Sequence, residues 1–338
     1  MMIRLMAFFL NAILLSSTLF ATNTDTHVVR AAIDIGMGGP KLQVAEVDVK
    51  TNKIVKLLHS QRYFVNFYEG ISKDNGNKLS AEVMTQGLGA FKSAVNVAHS
   101  FKPDGIVAIA TASFRSASNG LEFAKEIQDE TAIQVHIVNQ NLEGKLAFQA
   151  VLSQIDIQPE NLIVWDIGGG SIQFVGMTSD GSYLIDCCEE GVGAFNDYII
   201  GSIQRQNIQE RRTPNPMSSS DVLRAQTYAC SLSQKVNQAI CDKFKDPTTK
   251  VVGAGSVFGH GIAAMVGKNA FCFDDIAAVV QGLAGKTDAD FGGGDFAFCE
   301  GSNTILAFGF MYGLGIKKMC ILNVNNADGA LIYEEFWK

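Results

Sequence analysis

Two segments of this chain end an apolar run in an aspartate and then turn through glycines. They are Ala31-Ala32-Ile33-Asp34-Ile35-Gly36-Met37-Gly38-Gly39 and Val164-Trp165-Asp166-Ile167-Gly168-Gly169-Gly170-Ser171-Ile172-Gln173. A buried strand of this kind delivers one carboxylate at its end, and glycines let backbone N–H groups approach an anion closely. Two such loops facing each other make a phosphate clamp. Asp34 and Asp166 are then candidate Mg²⁺ ligands, because Mg²⁺ takes one or two carboxylates together with waters and phosphate oxygens. The plainer alternative is that each aspartate caps its own turn, and the shared pattern of the two loops argues against it.

Other residue types suit the same chemistry. Arg115 follows an apolar strand and a small-residue stretch, which puts a planar fork donor suited to phosphate at the same sheet edge; on its own it would read as a surface ion-pair residue. Glu143 opens a helix and is a candidate general base on the water that attacks a terminal phosphorus, against the simpler role of a helix-dipole partner. The run Gly253-Ala254-Gly255-Ser256-Val257-Phe258-Gly259 also follows a strand. A dinucleotide reading of it leaves the two earlier glycine turns unused, so Gly253, Gly255 and Ser256 are assigned to a third wall of the phosphate site. His27, His59, His99, His136 and His260 have no metal-ligand spacing, and there is no nucleophile elbow or P-loop.

The elements that must position these residues alternate. Strands are predicted over 29–36, 41–49 and 54–61. A helix capped by Ser80 follows, then a strand over 106–110, a helix over 121–128, a strand over 135–138 and a helix over 142–152. The strand, glycine turn, strand plan restarts at Leu162, which suggests a duplicated lobe. Residues 205–220 read as a polar surface loop, 221–240 as one helix, and 251–256 as a strand entering a turn. The class is α/β, with a first lobe over 27–156 and a second over 157–338.

The 338 residues exceed one comfortable core, and with 47% apolar and 18% charged residues the chain is globular. A formal charge of -7 argues against a nucleic-acid surface. Residues 1–21 have the layout of a secretory signal, with Arg4, an apolar stretch and small residues near Ala21. This predicts a periplasmic or secreted protein with no stable membrane insertion after cleavage. All seven cysteines lie between Cys187 and Cys320, and export makes a disulfide among them reasonable.

Taken in order, AAIDIGMGGPKLQVAEVD, ATASFRSASNG, NLEGKLAFQAV, WDIGGGSIQFV, VVGAGS and NADGALIYE resemble the exopolyphosphatase/guanosine pentaphosphate phosphatase (Ppx/GppA) family of the actin-like ATPase superfamily. The resemblance spans residues 30–336. It implies two ribonuclease H-like lobes with an interlobe active-site cleft, and Mg²⁺-dependent release of terminal phosphate from a small or polymeric phosphoanhydride; it admits a homodimer. By the same resemblance, Asp34 and Asp166 lie near metal, Arg115 on substrate phosphate, and Glu143 at the water-activating base. Gly36, Gly38 and Gly39 match the first phosphate loop; Gly168, Gly169, Gly170 and Ser171 match the second.

The chain departs from that pattern in particular residues. Met37 and Gly39 stand where the family's first loop carries hydroxyls, Leu142 replaces the first acid of its E-E pair, and Gln173 replaces the acid that closes its second loop. Gln173 is instead similar to the apyrases, whose second loop ends in glutamine at the catalytic water, and Lys41 keeps the cation that closes their first loop. The expected function is therefore phosphoanhydride hydrolysis. The alternatives are an exported apyrase-like nucleotidase and a phosphate- or nucleotide-binding protein without turnover.

Overall fold

The computed structural model describes residues 26–72 and 76–338. The expected signal segment, 1–21, lies outside the described residues, and among the described ones no helix is long and apolar enough to cross a membrane. Two sheets are each built on the same plan. In the first, β1 (His27–Gly36), β2 (Gly39–Asp48) and β3 (Lys53–Arg62) form an antiparallel meander, and β4 (Gly105–Ala110) and β5 (Val135–Ile137) add in parallel on the other side of β1, giving the order β3-β2-β1-β4-β5.

The second sheet repeats this with β6 (Leu162–Ile167), β7 (Ile172–Met177) and β8 (Tyr183–Cys188), then β9 (Lys250–Ala254), β10 (Ala270–Cys272) and β11 (Lys318–Ile321), in the order β8-β7-β6-β9-β11-β10. The duplication read from the two glycine turns is thus a duplication of sheet topology. Strands β1 and β6 are central, and their site-facing halves are wholly buried. That is why they read as near-continuous apolar runs rather than alternating ones.

Helices cover both sheets. In the first lobe, α1 (Ala81–Ser100) starts where the Ser80 side chain accepts from the Val83 N–H, and buries Val83, Phe91, Ala94 and Val95. The short α2 (Ala112–Ser116) and α3 (Gly120–Thr131) follow β4. Phe67, Phe114 and Phe123 meet beneath them, the last two stacked with centroids 5.2 Å apart.

Between the lobes runs α4 (Gln140–Leu152), capped by Asn139, whose side chain accepts from the Leu142 N–H. One side of α4 gives Leu146 to the first sheet, while Ala147, Phe148 and Val151 pack on Leu162, Val164 and Val175 of the second. Each large apolar side chain buried there contributes about 1.5–3 kcal/mol, so α4 ties the sheets together.

The second lobe is covered by α5 (Val192–Tyr198), α6 (Ser219–Ser233), α7 (Gln238–Lys245), α8 (Phe273–Gln281) and the largely buried α9 (Ala297–Leu314). The single helix expected over 221–240 is two. The chain breaks after Ser233 because Asn237 starts a new cap, its side chain accepting from the Ile240 N–H and its own N–H donating to Asp186.

A second correction concerns the lobe boundary. The last helix, α10 (Asn326–Ile332), falls in the expected second lobe of 157–338, yet packs on the first sheet. Ala327, Ala330 and Leu331 are buried among Ala32, Val107 and Ile109, and Arg30 donates to the Leu331 carbonyl at 2.9 Å. The chain therefore crosses between lobes twice. The expected disulfide is absent as well: all seven cysteines are free thiols.

Candidate active site

The β1–β2 hairpin closes through Met37 and Gly38, with Gly36 opposite Gly39. Its register sets Asp34 directly across from Lys41, and the ammonium sits 3.0 Å from Asp34 Oδ2. Oδ1 of Asp34 is buried and accepts no hydrogen bond. Gly39 has φ +98°, and a side chain there would strike the Tyr63 carbonyl, so its role is the turn itself.

The β6–β7 hairpin has the same logic with a longer loop. Asp166 lies opposite Gln173, so Gln173 holds the register position that Lys41 holds in the first lobe. The intervening loop is fastened by its carbonyls: Val192 and Gly193 at the start of α5 donate to Gly168 and Gly169 at 3.1 and 3.0 Å. Among the described residues, the N–H groups of Gly169 and Gly170 have no backbone acceptor. They are the donors that an anion would meet.

At the end of β9, Gly255 adopts φ +84°, and a side chain there would collide with Asp166 Oδ1. Only glycine lets the third turn approach the acid this closely.

These segments line one cavity of about 740 Å³ between the lobes, bringing together Asp34, Gly36, Gly38, Lys41, Glu143, Asp166, the Gly168–Ser171 loop, Gly255 and Ser256. Four expected site residues lie off its wall. Gly39 is in its turn. Gly253 is a packing glycine under Phe258 and Met319. Gln173 is buried beside the loop, its Nε2 donating to Ser171 Oγ at 2.9 Å. Arg115 stands behind Glu143, donating to Glu143 Oε2 at 3.0 Å and to the Val138 carbonyl at 2.9 Å. That clamp fixes the carboxylate at the first turn of α4.

The electrostatics follow from crowding three acids in a dry place. Burial pushes Glu143 up to about 7 despite the Arg115 guanidinium, with Asp166 and Asp34 adding to the rise. Asp166 is pushed up to about 6, again chiefly by burial, with Lys41 opposing and Asp34 reinforcing. Asp328 on α10 is raised to about 6 by burial, although it accepts the Asn325 N–H in a capping box.

Such a cluster suits a divalent cation. Asp34 and Asp166 supply two carboxylates and Asp34 Oδ1 is free to bind, which matches the one or two protein carboxylates that Mg²⁺ takes. Among the described residues no three His, Cys, Asp or Glu side chains converge as a metal cage. Water and phosphate oxygens would have to complete the shell.

Met37 marks a feature of the first loop that its sequence only hinted at. A Cβ placed on Gly169 would lie 2.8 Å from Met37 Cβ, and one on Gly170 would lie 2.6 Å from Met37 Cε. The Met37 side chain therefore rests on the face of the second glycine loop.

Several site residues escaped the sequence. Arg62, at the end of β3, donates to Ser256 Oγ at 3.0 Å and lies 5.2 Å over the Phe296 ring. It stands across from Lys41 in the sheet, and a cation just past the third expected strand was a usable signal. Asn326, at the first turn of α10, lines the cavity beside Asp166 and favours its charged form. The stretch 205–220, read as a surface loop, lines the cavity through Gln209, Arg211 and Arg212. Arg212 pairs with Glu69 at 2.7 Å, and Tyr68 donates to Asp197 at 2.6 Å, so both contacts join the lobes across the cavity mouth.

The Ppx/GppA phosphatase family matches residues 44–187, a span that contains Arg115, Glu143, Asp166 and Gln173. A bifunctional 3-dehydroquinate synthase/phosphatase of Fusobacterium nucleatum is 30% identical over 152 residues, 44% of this chain and 23% of that protein. The chain thus spans about a quarter of the length of that curated relative. A solved PPX-GPPA enzyme of Aquifex aeolicus superposes with a TM-score of 0.70 at 17% identity, covering 90% of this chain and 99% of that one. An exopolyphosphatase structure from Cytophaga hutchinsonii gives 0.67 at 17% identity, covering 90% and 96%. The fold is the two-lobed actin-like one that the motif order implied.

Proposed function

From a chain that is Ppx/GppA-type in sequence match and in fold, we propose a phosphoanhydride hydrolase that releases a terminal phosphate by direct attack of water. The observation that carries this reading is Glu143, clamped by Arg115 and facing the same cavity as Asp34, Asp166 and the Gly168–Ser171 loop. A carboxyl raised to about 7 is suited to accepting a proton near neutral pH.

In the proposed step the water oxygen bonds to the terminal phosphorus as its proton passes to Glu143. The bridging P–O bond breaks, and its electron pair stays on the leaving phosphate oxygen. The N–H groups of Gly169 and Gly170 hold the phosphoryl oxygens, while Lys41 and Arg62 offset the charge of the remaining phosphates. Asp34 and Asp166 would hold Mg²⁺, which supplies charge neutralisation on those oxygens when bound. No covalent phosphoenzyme is required. Action outside the cytoplasm is part of the same proposal and rests on residues 1–21.

The test is phosphate release from long-chain polyphosphate, tripolyphosphate, pppGpp and ATP with and without Mg²⁺, products resolved. Mg²⁺-dependent release of terminal phosphate, abolished in Glu143→Ala with substrate binding retained, is the expected result. Unchanged turnover in that variant overturns the mechanism. Binding without release from any substrate overturns the hydrolase reading in favour of a binding protein, and conversion of ATP through to AMP favours an apyrase-like activity.

A further inference from the structure

The two glycine loops belong to different lobes, and one side chain reaches what holds each of them. After β3 the chain runs along the first loop: the Val65 N–H donates to the Gly38 carbonyl at 3.4 Å and the Phe67 N–H to the Met37 carbonyl at 3.0 Å. Phe67 is 1% exposed and packs on Phe114 and Phe123, which fixes this segment to the core of the first lobe. Residues 67–70 make one helical turn, capped by Asn66, whose side chain accepts from the Glu69 N–H at 3.1 Å. From that turn Tyr68 lines the cavity and meets α5 of the second lobe.

The meeting is with bare backbone. A Cβ on Gly193 would collide with the Tyr68 ring, whose atoms are the three nearest to that position. One turn on, Asp197 accepts from the Tyr68 hydroxyl at 2.6 Å. Residues four apart share a helix face, so this one side chain spans a face of α5. Burial, reinforced by Asp197, pushes the Tyr68 phenol above its ordinary value, which keeps it a hydrogen-bond donor.

α5 is also the support of the second loop. Val192 and Gly193 donate to the Gly168 and Gly169 carbonyls, and a Cβ on Gly191 would strike the backbone of Gly170 and Ser171. A continuous bridge therefore runs from the Met37 carbonyl to the Gly169 carbonyl, through the Phe67 N–H, the Tyr68 ring and the Gly193 N–H. The neighbouring Glu69–Arg212 pair is half-exposed and is weakened by salt. A ring seated on backbone is not.

We propose that Tyr68 is a positioning residue for phosphate binding, which bridges the lobes and holds the Gly168–Ser171 loop, through Gly193, in register with the turn at Met37 and Gly38. The proposal rests on the phosphate-holding role that the hydrolase reading gives those glycines, but the bridge itself can be read in the free protein. A loop ordered in advance spares the ligand the cost of ordering it. A loosened loop that still closes on bound substrate keeps its transition-state contacts, so loss of the bridge raises KM and leaves kcat.

The experiment is hydrogen–deuterium exchange of the free wild type, Tyr68→Ala, Tyr68→Phe, Gly193→Ala and the double variant Tyr68→Ala/Gly193→Ala. Tripolyphosphate binding is measured alongside by calorimetry in Mg²⁺ buffer, and KM and kcat by phosphate release. Tyr68→Ala should speed exchange at Val192 and Gly193 about tenfold while β6 stays protected, whereas a general loss of stability would speed both. Its Kd and KM for tripolyphosphate should rise about tenfold with kcat within about twofold of wild type. Tyr68→Phe keeps the ring and should restore most of the protection and affinity. Gly193→Ala displaces the same ring and should raise KM as Tyr68→Ala does, yet add nothing in the Tyr68→Ala background, where alanine only favours the helix.

Unchanged exchange at Val192 and Gly193 in Tyr68→Ala overturns the bridge. So does an equal effect of Gly193→Ala in both backgrounds, or a fall in kcat with KM unchanged. If exchange and Kd respond as expected but wild type releases no phosphate, the hydrolase reading fails while the bridge stands; if wild type binds no tripolyphosphate, both fail.

Discussion

Replacing Glu143 by glutamine should make the protein more stable and inactive at the same time, and the stability gain should appear only above the ordinary carboxylate range. The Glu143 carboxyl moves from an ordinary 4.5 to about 7 on folding. Because its folded pKa is raised, the folded state binds more protons than the unfolded state between those values, and stability falls as pH rises through the window. Carried through to pH 8, the loss is about 3 kcal/mol. Glutamine has no such loss, and the Arg115 guanidinium keeps the Val138 carbonyl as a partner.

The variant-minus-wild-type difference should therefore grow by about 3 kcal/mol between pH 4.5 and pH 8, whatever constant offset the lost Arg115 contact adds. At roughly 2.1 cal/mol/K of unfolding entropy per residue, that is about 4–5 °C in Tm for a chain of this length. The assay is thermal unfolding of both proteins across that pH range in EDTA, so that no divalent ion neutralises the acids, with phosphate release measured in parallel. A difference that is flat with pH, or that shrinks as pH rises, refutes the reasoning that this carboxylate is held against its own solvation for a catalytic purpose.

The remaining expectations concern the two loops. Met37→Ser should uncover the Gly169–Gly170 face; moving a half-buried thioether aside costs about 1 kcal/mol, so KM for a phosphoanhydride should drop roughly fivefold, and an unchanged KM would show that Met37 does not obstruct the loop. Gln173→Glu should bury another acid beside Asp166, lowering stability at pH 8 by about 1–3 kcal/mol and raising the pH at which activity appears. A rise in Mg²⁺-dependent turnover in that variant would instead make Gln173 a degraded ligand position.

What could be read ahead of the structure was whatever a local pattern encodes. Asp34 and Asp166 were legible because a strand end followed by glycines is a local signal, and Glu143 because it opens a helix. Arg115 was placed at the correct sheet edge, but its orientation depends on the Val138 carbonyl and Glu143, which only tertiary packing brings to it. Gly253 and Gly255 look alike in sequence. One is there to fit Phe258 and Met319, and the other to let a backbone turn reach Asp166. The cleft side of residues 205–220 was invisible, because polarity marks solvent and a polar cavity equally. The return of α10 was hidden for another reason: its apolar face fits either sheet, and the choice is made by Ala32, Val107 and Ile109 from the far end of the chain.

That return has a consequence for how the site is held. Asp34 and Lys41 come from one sheet and Asp166 from the other, so their spacing depends on how the lobes are joined. Two helices do the joining, and each brings a site residue with it. α4 carries Glu143 in its first turn and is packed on both sheets. α10 packs on the first sheet, while Asn326 at its start lines the cavity beside Asp166 of the second. A change in the angle between the lobes must then move Glu143 and Asn326 relative to Asp166. The mouth contacts differ in kind: Glu69 with Arg212 is a half-exposed ion pair that contributes about 1 kcal/mol at most, whereas Tyr68 with Asp197 is a part-buried hydrogen bond to a carboxylate, of the class that contributes about 1.5–3 kcal/mol. The lobes are thus joined through the two helices that carry Glu143 and Asn326, and again by these two contacts at the cavity mouth.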